Sequence, residues 1–296
     1  IDRALGTMLS ATSKEEFQSL RSQVVVEYLK QAVASKDHAL VIALFNQNAT
    51  LFQTPEKVEL LEAVGNACMT LKLYPNALDL YKQAQSHGNK SDDLMLKMAQ
   101  SQLLMGDLDG AAQQLQLVRS DKLANQKAMI LGKIAFAQSQ YKEALLQFSK
   151  VLSQPNELER ADLDSVLAYA ESLAQTGKPA EAVDLLAKAT AVCPGANEAA
   201  SQLQMGLLQS KCFLSLKQPD KAIATLELLV SIGPPDNLRE QLTYQLAELY
   251  LENQQAAKAK EMLSQLATSS QGLWKAAAQQ QLDYLEMQNK GRVKTN

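Results

Sequence analysis

Six alanines recur along the chain in the same company: Ala77, Ala111, Ala144, Ala182, Ala222 and Ala259. By subtraction they stand 34, 33, 38, 40 and 37 residues apart. Four residues after each comes a large apolar side chain: Tyr81, Leu115, Phe148, Leu186, Leu226 and Leu263. Three further on are Ala84, Val118, Val151, Ala189, Leu229 and Leu266. Twelve before each alanine is a small residue: Gly65, Ala99, Gly132, Ala170, Ser210 and Ala247. A period of this length marks stacked supersecondary units, because one unit cannot bury its apolar face alone.

Each unit reads as two helices. In the stretch 125–155, Met129, Ile130, Ile134 and Ala137 fall at helical spacing, and Ala144, Leu145, Phe148, Val151 and Leu152 do so again after a polar break at 138–140. Gly132 and Ala144 sit where antiparallel partners would cross, and small side chains there let two axes approach to about 8–10 Å. Pro155 is expected to end the second helix, since it lacks an N–H donor. Lys36-Asp37, Gly106-Asp107, Gly177-Lys178, His87-Gly88 and Pro234-Pro235-Asp236-Asn237 punctuate the chain as turns. Thr54-Pro55-Glu56 reads as a helix start.

At the start, Ile1 to Ala11 forms a lead-in and Ser13 with Glu16 makes a capping box, opening a helix to about Ser35. The next helix, Asp37 to about Asn46, is apolar on nearly all sides from Leu40 to Phe45 and is expected to be covered all round, by the preceding segment or by a partner. At the other end Trp274, Ala277, Ala278, Leu282 and Leu285 form one stripe of a helix from Leu273 to Asn289, suited to shielding the last pair. The boundaries expected are an N-terminal segment 1–53 with a degenerate repeat, six helical hairpins over 54–268, a capping helix over 269–290 and a disordered basic tail at 291–296.

Leu61, Val64-Gly65, Ala77, Tyr81 and Ala84, and again Leu131-Gly132, Tyr141, Ala144, Phe148 and Pro155, follow the pattern W/L-x-x-L-G-x-x-Y, A-x-x-x-F-x-x-A, P. On these residues the chain resembles the tetratricopeptide repeat family from about Val58 to Ala267, and more loosely from Ser13 to Gln53. It departs where the late aromatic of the first helix is replaced, at Cys68, Gln102 and Ala135, and in its last three, longer spacings. The resemblance implies an all-α, right-handed superhelical solenoid of antiparallel helix pairs, and a non-catalytic scaffold for a protein or peptide partner. It implies too that the first helix of each pair lines a concave groove. Projected onto that groove, Asn66, Met69, Leu96, Gln100, Leu103, Met129, Lys133, Phe136, Glu171, Lys211, Tyr244 and Glu248 are the candidate partner-binding residues. The centre, Leu96 to Phe136, is apolar and methionine-bearing; Lys133, Glu171, Lys211 and Glu248 alternate in charge. Family members that clamp a chaperone's terminal carboxylate use cations and amides on successive first helices. Here Asn66 fits one such place, but Glu62, Leu96 and Gln100 stand at others and supply no paired cations, so that ligand is not expected.

Charge and composition narrow the rest. With 29 basic and 32 acidic residues the net charge is −3, which gives no electrostatic footprint for nucleic acid. The longest apolar run, Ala39 to Phe45, falls far short of the roughly 20 residues of a membrane span, so direct membrane insertion by this chain is not expected. His38 and His87 are isolated, and no nucleophile–base, phosphate-loop or metal-ligand spacing occurs; the chain reads as no enzyme, with no cofactor and no metal. Cys68 and Cys212 read as small buried hydrophobes, and Cys193, at a helix end before Pro194-Gly195, as an exposed thiol.

The chain begins at Ile1 rather than at a methionine, and its helices are rich in glutamine and alanine with few arginines. The setting expected is a bacterial cell-envelope assembly factor, periplasmic or membrane-tethered by a lost N-terminal segment rather than cytoplasmic. Two other readings stand beside it: a structural subunit or homodimer assembled through Leu40, Ile42, Leu44 and Phe45, and the regulatory region of a larger enzyme or signalling protein.

Overall fold

The structure, a computed structural model, describes residues 14–52, 58–153, 155–193, 195–196, 198–269 and 272–293. The lead-in to Ala11, the Ser13 cap, the Thr54-Pro55-Glu56 start and the last three residues lie outside the described residues. Every regular element described is helical: α1 (Lys14–Ala34), α2 (His38–Gln47), α3 (Val58–Thr70), α4 (Tyr74–Ser86), α5 (Asp92–Leu104), α6 (Leu108–Leu117), α7 (Ala124–Ala137), α8 (Tyr141–Leu152), α9 (Pro155–Leu158), α10 (Leu163–Gln175), α11 (Pro179–Val192), α12 (Ala199–Ser215), α13 (Pro219–Ser231), α14 (Asp236–Glu252), α15 (Ala256–Ser269) and α16 (Leu273–Val293). Short 3-10 turns occupy Ala49–Phe52 and Asp121–Leu123. The chain forms two compact units, Ile1–Ala137 and Gln138–Asn296.

Within each unit the repeating positions make the core. The six recurring alanines are all 0% exposed. The residues four and seven after them are buried without exception, as are the small residues twelve before. Fully burying one large apolar side chain stabilises by about 1.5–3 kcal/mol, so the large residues at these positions contribute substantially to each unit's stability. A Cβ built on Gly65 would lie 2.5 Å from the Tyr81 ring, which shows why that crossing takes no side chain.

A further column lies five residues before each alanine. Lys72, Gly106, Ser139, Gly177, Lys217 and Gln254 all have φ between +57° and +83°, the left-handed conformation that closes a helix. At Leu73, Asp107, Lys178, Gln218 and Gln255 the residue after the left-handed one donates its N–H back to the preceding helix, as Leu73 to the Cys68 carbonyl at 2.8 Å and Asp107 to Gln102 at 2.9 Å. Lys36, at φ +58°, makes the same turn, with Asp37 bonded to Ala32 at 3.0 Å. Five residues on stands Val41, and twelve before that Leu29, both 0% exposed. The N-terminal pair α1–α2 therefore keeps the register of the others, with valine and leucine in columns held elsewhere by small residues.

The apolar helix α2 differs from expectation. Val41 and Leu44 are buried, Leu40, Ile42 and Phe45 are half-buried against the same core, and Ala43 is exposed. Its cover comes from the chain itself, since α1 packs on one side and α3 on the other. Pro155 also corrects the reading above: α8 has already stopped at Leu152, and Pro155 opens α9, where its missing N–H costs nothing. Gly291 to Val293 continue α16 rather than starting a tail. The long spacings have a structural origin: α12 and α14 run 17 residues where α3 and α5 run 13. At the last pair, the Trp274 ring lies 5.5 Å from that of Tyr244, and Ala278 joins a core with Ala247, Leu263 and Leu266. Cys68, Cys193 and Cys212 are all buried free thiols. Cys193 was expected to be exposed; it turns inward because its thiol donates to the Leu158 carbonyl at 3.2 Å.

Candidate interaction surface

First helices of neighbouring pairs approach one another, α1 with α3 and α5 with α7 in the first unit, α10 with α12 and α14 with α16 in the second. Among the described residues of each unit, second helices make no packing of comparable extent with each other. Each unit therefore presents a face lined by its first helices.

One column on that face is polar throughout. Eleven residues before each recurring alanine stand Asn66, Gln100 and Lys133 in the first unit and Glu171, Lys211 and Glu248 in the second; none is buried. Four residues earlier and three later on the same helices, Met69, Leu103, Met129, Phe136 and Tyr244 are half-buried. Spacings of three and four keep these residues on one side of each helix. Each unit thus carries a polar ridge with apolar flanks. Leu96 is corrected: at 8% exposure it belongs to the core cluster that also holds residues of α3 and α7. Leu44 is likewise a core residue.

In the first unit Asn66, Met69 and Gln100 come together in a depression of about 380 Å³. Six more residues line it that were not candidates, Thr70, Lys72, Tyr74, Tyr81, Lys97 and Leu104. The Lys97 Nζ stands 2.5 Å from Glu62 Oε1 and 2.7 Å from Asp93 Oδ2. Asn89 donates to the other Glu62 oxygen at 2.9 Å, and the Tyr81 hydroxyl donates to Asn66 Oδ1 at 2.8 Å. Burial alone would lower the Lys97 pKa, but Asp93 and Glu62 outweigh it and raise it. Burial, reinforced by Glu62, raises that of Tyr81. This ammonium is already neutralised by two carboxylates, which further weakens the case for a carboxylate ligand here. The legible signal was the pairing of Glu62 with a lysine one repeat period plus one residue later.

In the second unit Glu171 on α10 and Lys211 on α12 act on the same buried thiol, Cys212. Burial raises its pKa first, Glu171 raises it further and Lys211 lowers it. Tyr244 is held under Trp274, and burial followed by the adjacent Glu248 raises its pKa.

Models of the tetratricopeptide repeat match residues 96–157 and 242–270. No curated sequence relative matches. Among solved structures, the C-terminal part of a TPR repeat-containing protein from Cytophaga hutchinsonii is similar with a TM-score of 0.57 and 16% identity, over 80% of this chain and 92% of that one. A tetratricopeptide repeat protein from Parabacteroides merdae gives 0.52 and 15%, over 88% and 97%. The apo form of the quorum sensor NprR from B. thuringiensis gives 0.58 and 12%, over 90% and 85%. At these identities the likeness is one of fold. Among the described residues no helix is long and apolar enough to cross a membrane.

Proposed function

Because this chain is a solenoid of tetratricopeptide repeats, an architecture that serves protein–protein interaction, we propose that it is a non-catalytic adaptor holding a segment of a partner protein against its first-helix face. The observation that carries the reading is the polar column on each unit's first helices, Asn66, Gln100 and Lys133 in the first and Glu171, Lys211 and Glu248 in the second, none of them buried and flanked by half-buried apolar side chains. Apolar flanks supply contact area, and a row of amides and alternating charges fixes register and rejects wrong partners. The setting we favour is a bacterial cell envelope, on the glutamine- and alanine-rich composition noted above.

Affinity capture from candidate source cells tests the assignment. Wild type, Gln100→Arg, Lys211→Glu and, as a control on α4, Asp79→Lys are compared at equal melting temperature. The reading expects a partner retained by wild type and the Asp79 variant and lost by the other two. Equal retention by all four would move the partner off this face.

A further inference from the structure

We propose that the cavity walled by α8, α9, α10 and α11 in the second unit is a separate docking site, which takes a basic segment of a partner protein by one large apolar side chain. Its origin is an interruption of the repeat. Ala144 and Ala182 stand 38 residues apart, and the connection between their helices carries α9. The Cys193 thiol holds the end of α9 by its bond to the Leu158 carbonyl. Leu152, Leu158, Tyr169, Leu173 and Leu185, all buried, form an apolar floor, and Val192 stands at the mouth, 39% exposed. The cavity measures about 570 Å³, within the roughly 300–1,000 Å³ of typical ligand sites.

The occupant follows from charge. Glu159, Glu181, Asp184 and Lys188 line the rim. Lys178 engages Glu181 at 3.0 Å, whereas Glu159 and Asp184 have no ion-pair partner among the described residues. Among the residues that line the opening three acids stand against one base, a net of −2. An apolar floor under a negative rim complements a leucine- or phenylalanine-sized side chain with lysines or arginines beside it. The site does not use the polar column of the first-helix face, so both can be occupied by different stretches of one partner or by two.

Fluorescence anisotropy with three short labelled peptides tests this: an amphipathic lysine–leucine helix, its glutamate–leucine counterpart and its lysine–serine counterpart. The wild-type chain is compared with Glu159→Lys/Asp184→Lys, with Val192→Arg and with Lys211→Glu, the last on the other face. Glu159 and Asp184 are exposed, so their substitution leaves the core intact. The lysine–leucine peptide is expected to bind, the other two at least about tenfold more weakly. The rim double variant and Val192→Arg each lose about tenfold, and Lys211→Glu binds as wild type. The proposal is overturned if no peptide binds, if either counterpart binds equally well, or if the rim variants bind unchanged. Tighter binding by Lys211→Glu, with the rim variants unchanged, would assign the peptide to the first-helix face and leave the adaptor reading standing.

Discussion

The Tyr81 ring occupies the place where a side chain on Gly65 would begin: an ideal Cβ there would lie 2.5 Å from Tyr81 Cε1 and 2.9 Å from Cδ1. The ring cannot swing aside cheaply, because its hydroxyl is bonded to Asn66 on the same helix as Gly65. Gly65→Ala should therefore destabilise the first unit by about 2 kcal/mol, the overpacking cost exceeding the gain in helix propensity. Gly206→Ala faces the methyl ends of Leu229 at 2.6 Å, which can rotate away, and should cost less than about 1 kcal/mol. Denaturant titration of both variants checks the order.

The turn column makes a second prediction. Lys72 and Lys217 hold left-handed φ of +59° and +57°, a conformation that L side chains adopt at a cost. Lys72→Gly and Lys217→Gly should each stabilise by about 0.5–1 kcal/mol, the relief slightly exceeding the added freedom of the unfolded chain. Gly177→Ala should lose about 1 kcal/mol although nothing lies within 4 Å of the added methyl. Melting temperatures of the three variants would show opposite signs.

The Lys97 cluster should behave as a coupled unit. Lys97 and Glu62 are only 25% and 20% exposed along their side chains, between the surface and buried limits. Lys97→Met is expected to cost about 1–2 kcal/mol, because it leaves Glu62 and Asp93 facing each other unpaired. Adding Glu62→Gln should restore part of that loss, and a double-mutant cycle measures the coupling.

Alkaline pH should loosen the second unit through Tyr250. Its hydroxyl donates to Glu227, and burial followed by that carboxylate pushes its pKa from 10 up to about 12. The folded state holds this proton more tightly than the unfolded chain. The stabilisation is therefore complete below pH 10 and is lost progressively between pH 10 and about 12, on the order of 2 kcal/mol. Tyr250→Phe should lower stability at neutral pH and flatten the fall over that window, as read by urea titrations at stepped pH.

The hairpins were legible because the constraint at a helix crossing is a volume, and volume is written in residue type: Ala77, Ala144 and Ala259 could hardly be anything larger. The N-terminal pair was harder to read because Val41 and Leu29 fill the same columns with larger side chains. The turn column was hidden for a different reason. Lysine, serine and glutamine carry no obvious mark of the left-handed conformation they adopt at 36, 139 and 254; only Gly106 and Gly177 announce it. On the interaction face, helical spacing was enough to find Asn66, Gln100 and Lys133. Leu96 was misplaced because its side chain turns into the core while Lys97 beside it takes the open position. The cavity under α9 left no trace in spacing beyond an irregular interval.

From the small residue twelve before each alanine to the apolar residue seven after it, the interval never changes, while the period ranges from 33 to 40 residues. All the irregularity falls between one hairpin's second helix and the next hairpin's crossing point. Growth there lengthens a first helix, as in α12 and α14, or inserts a turn such as α9, without moving one core atom past another. The joints between hairpins are thus where such a chain can acquire new surface at little risk to its fold.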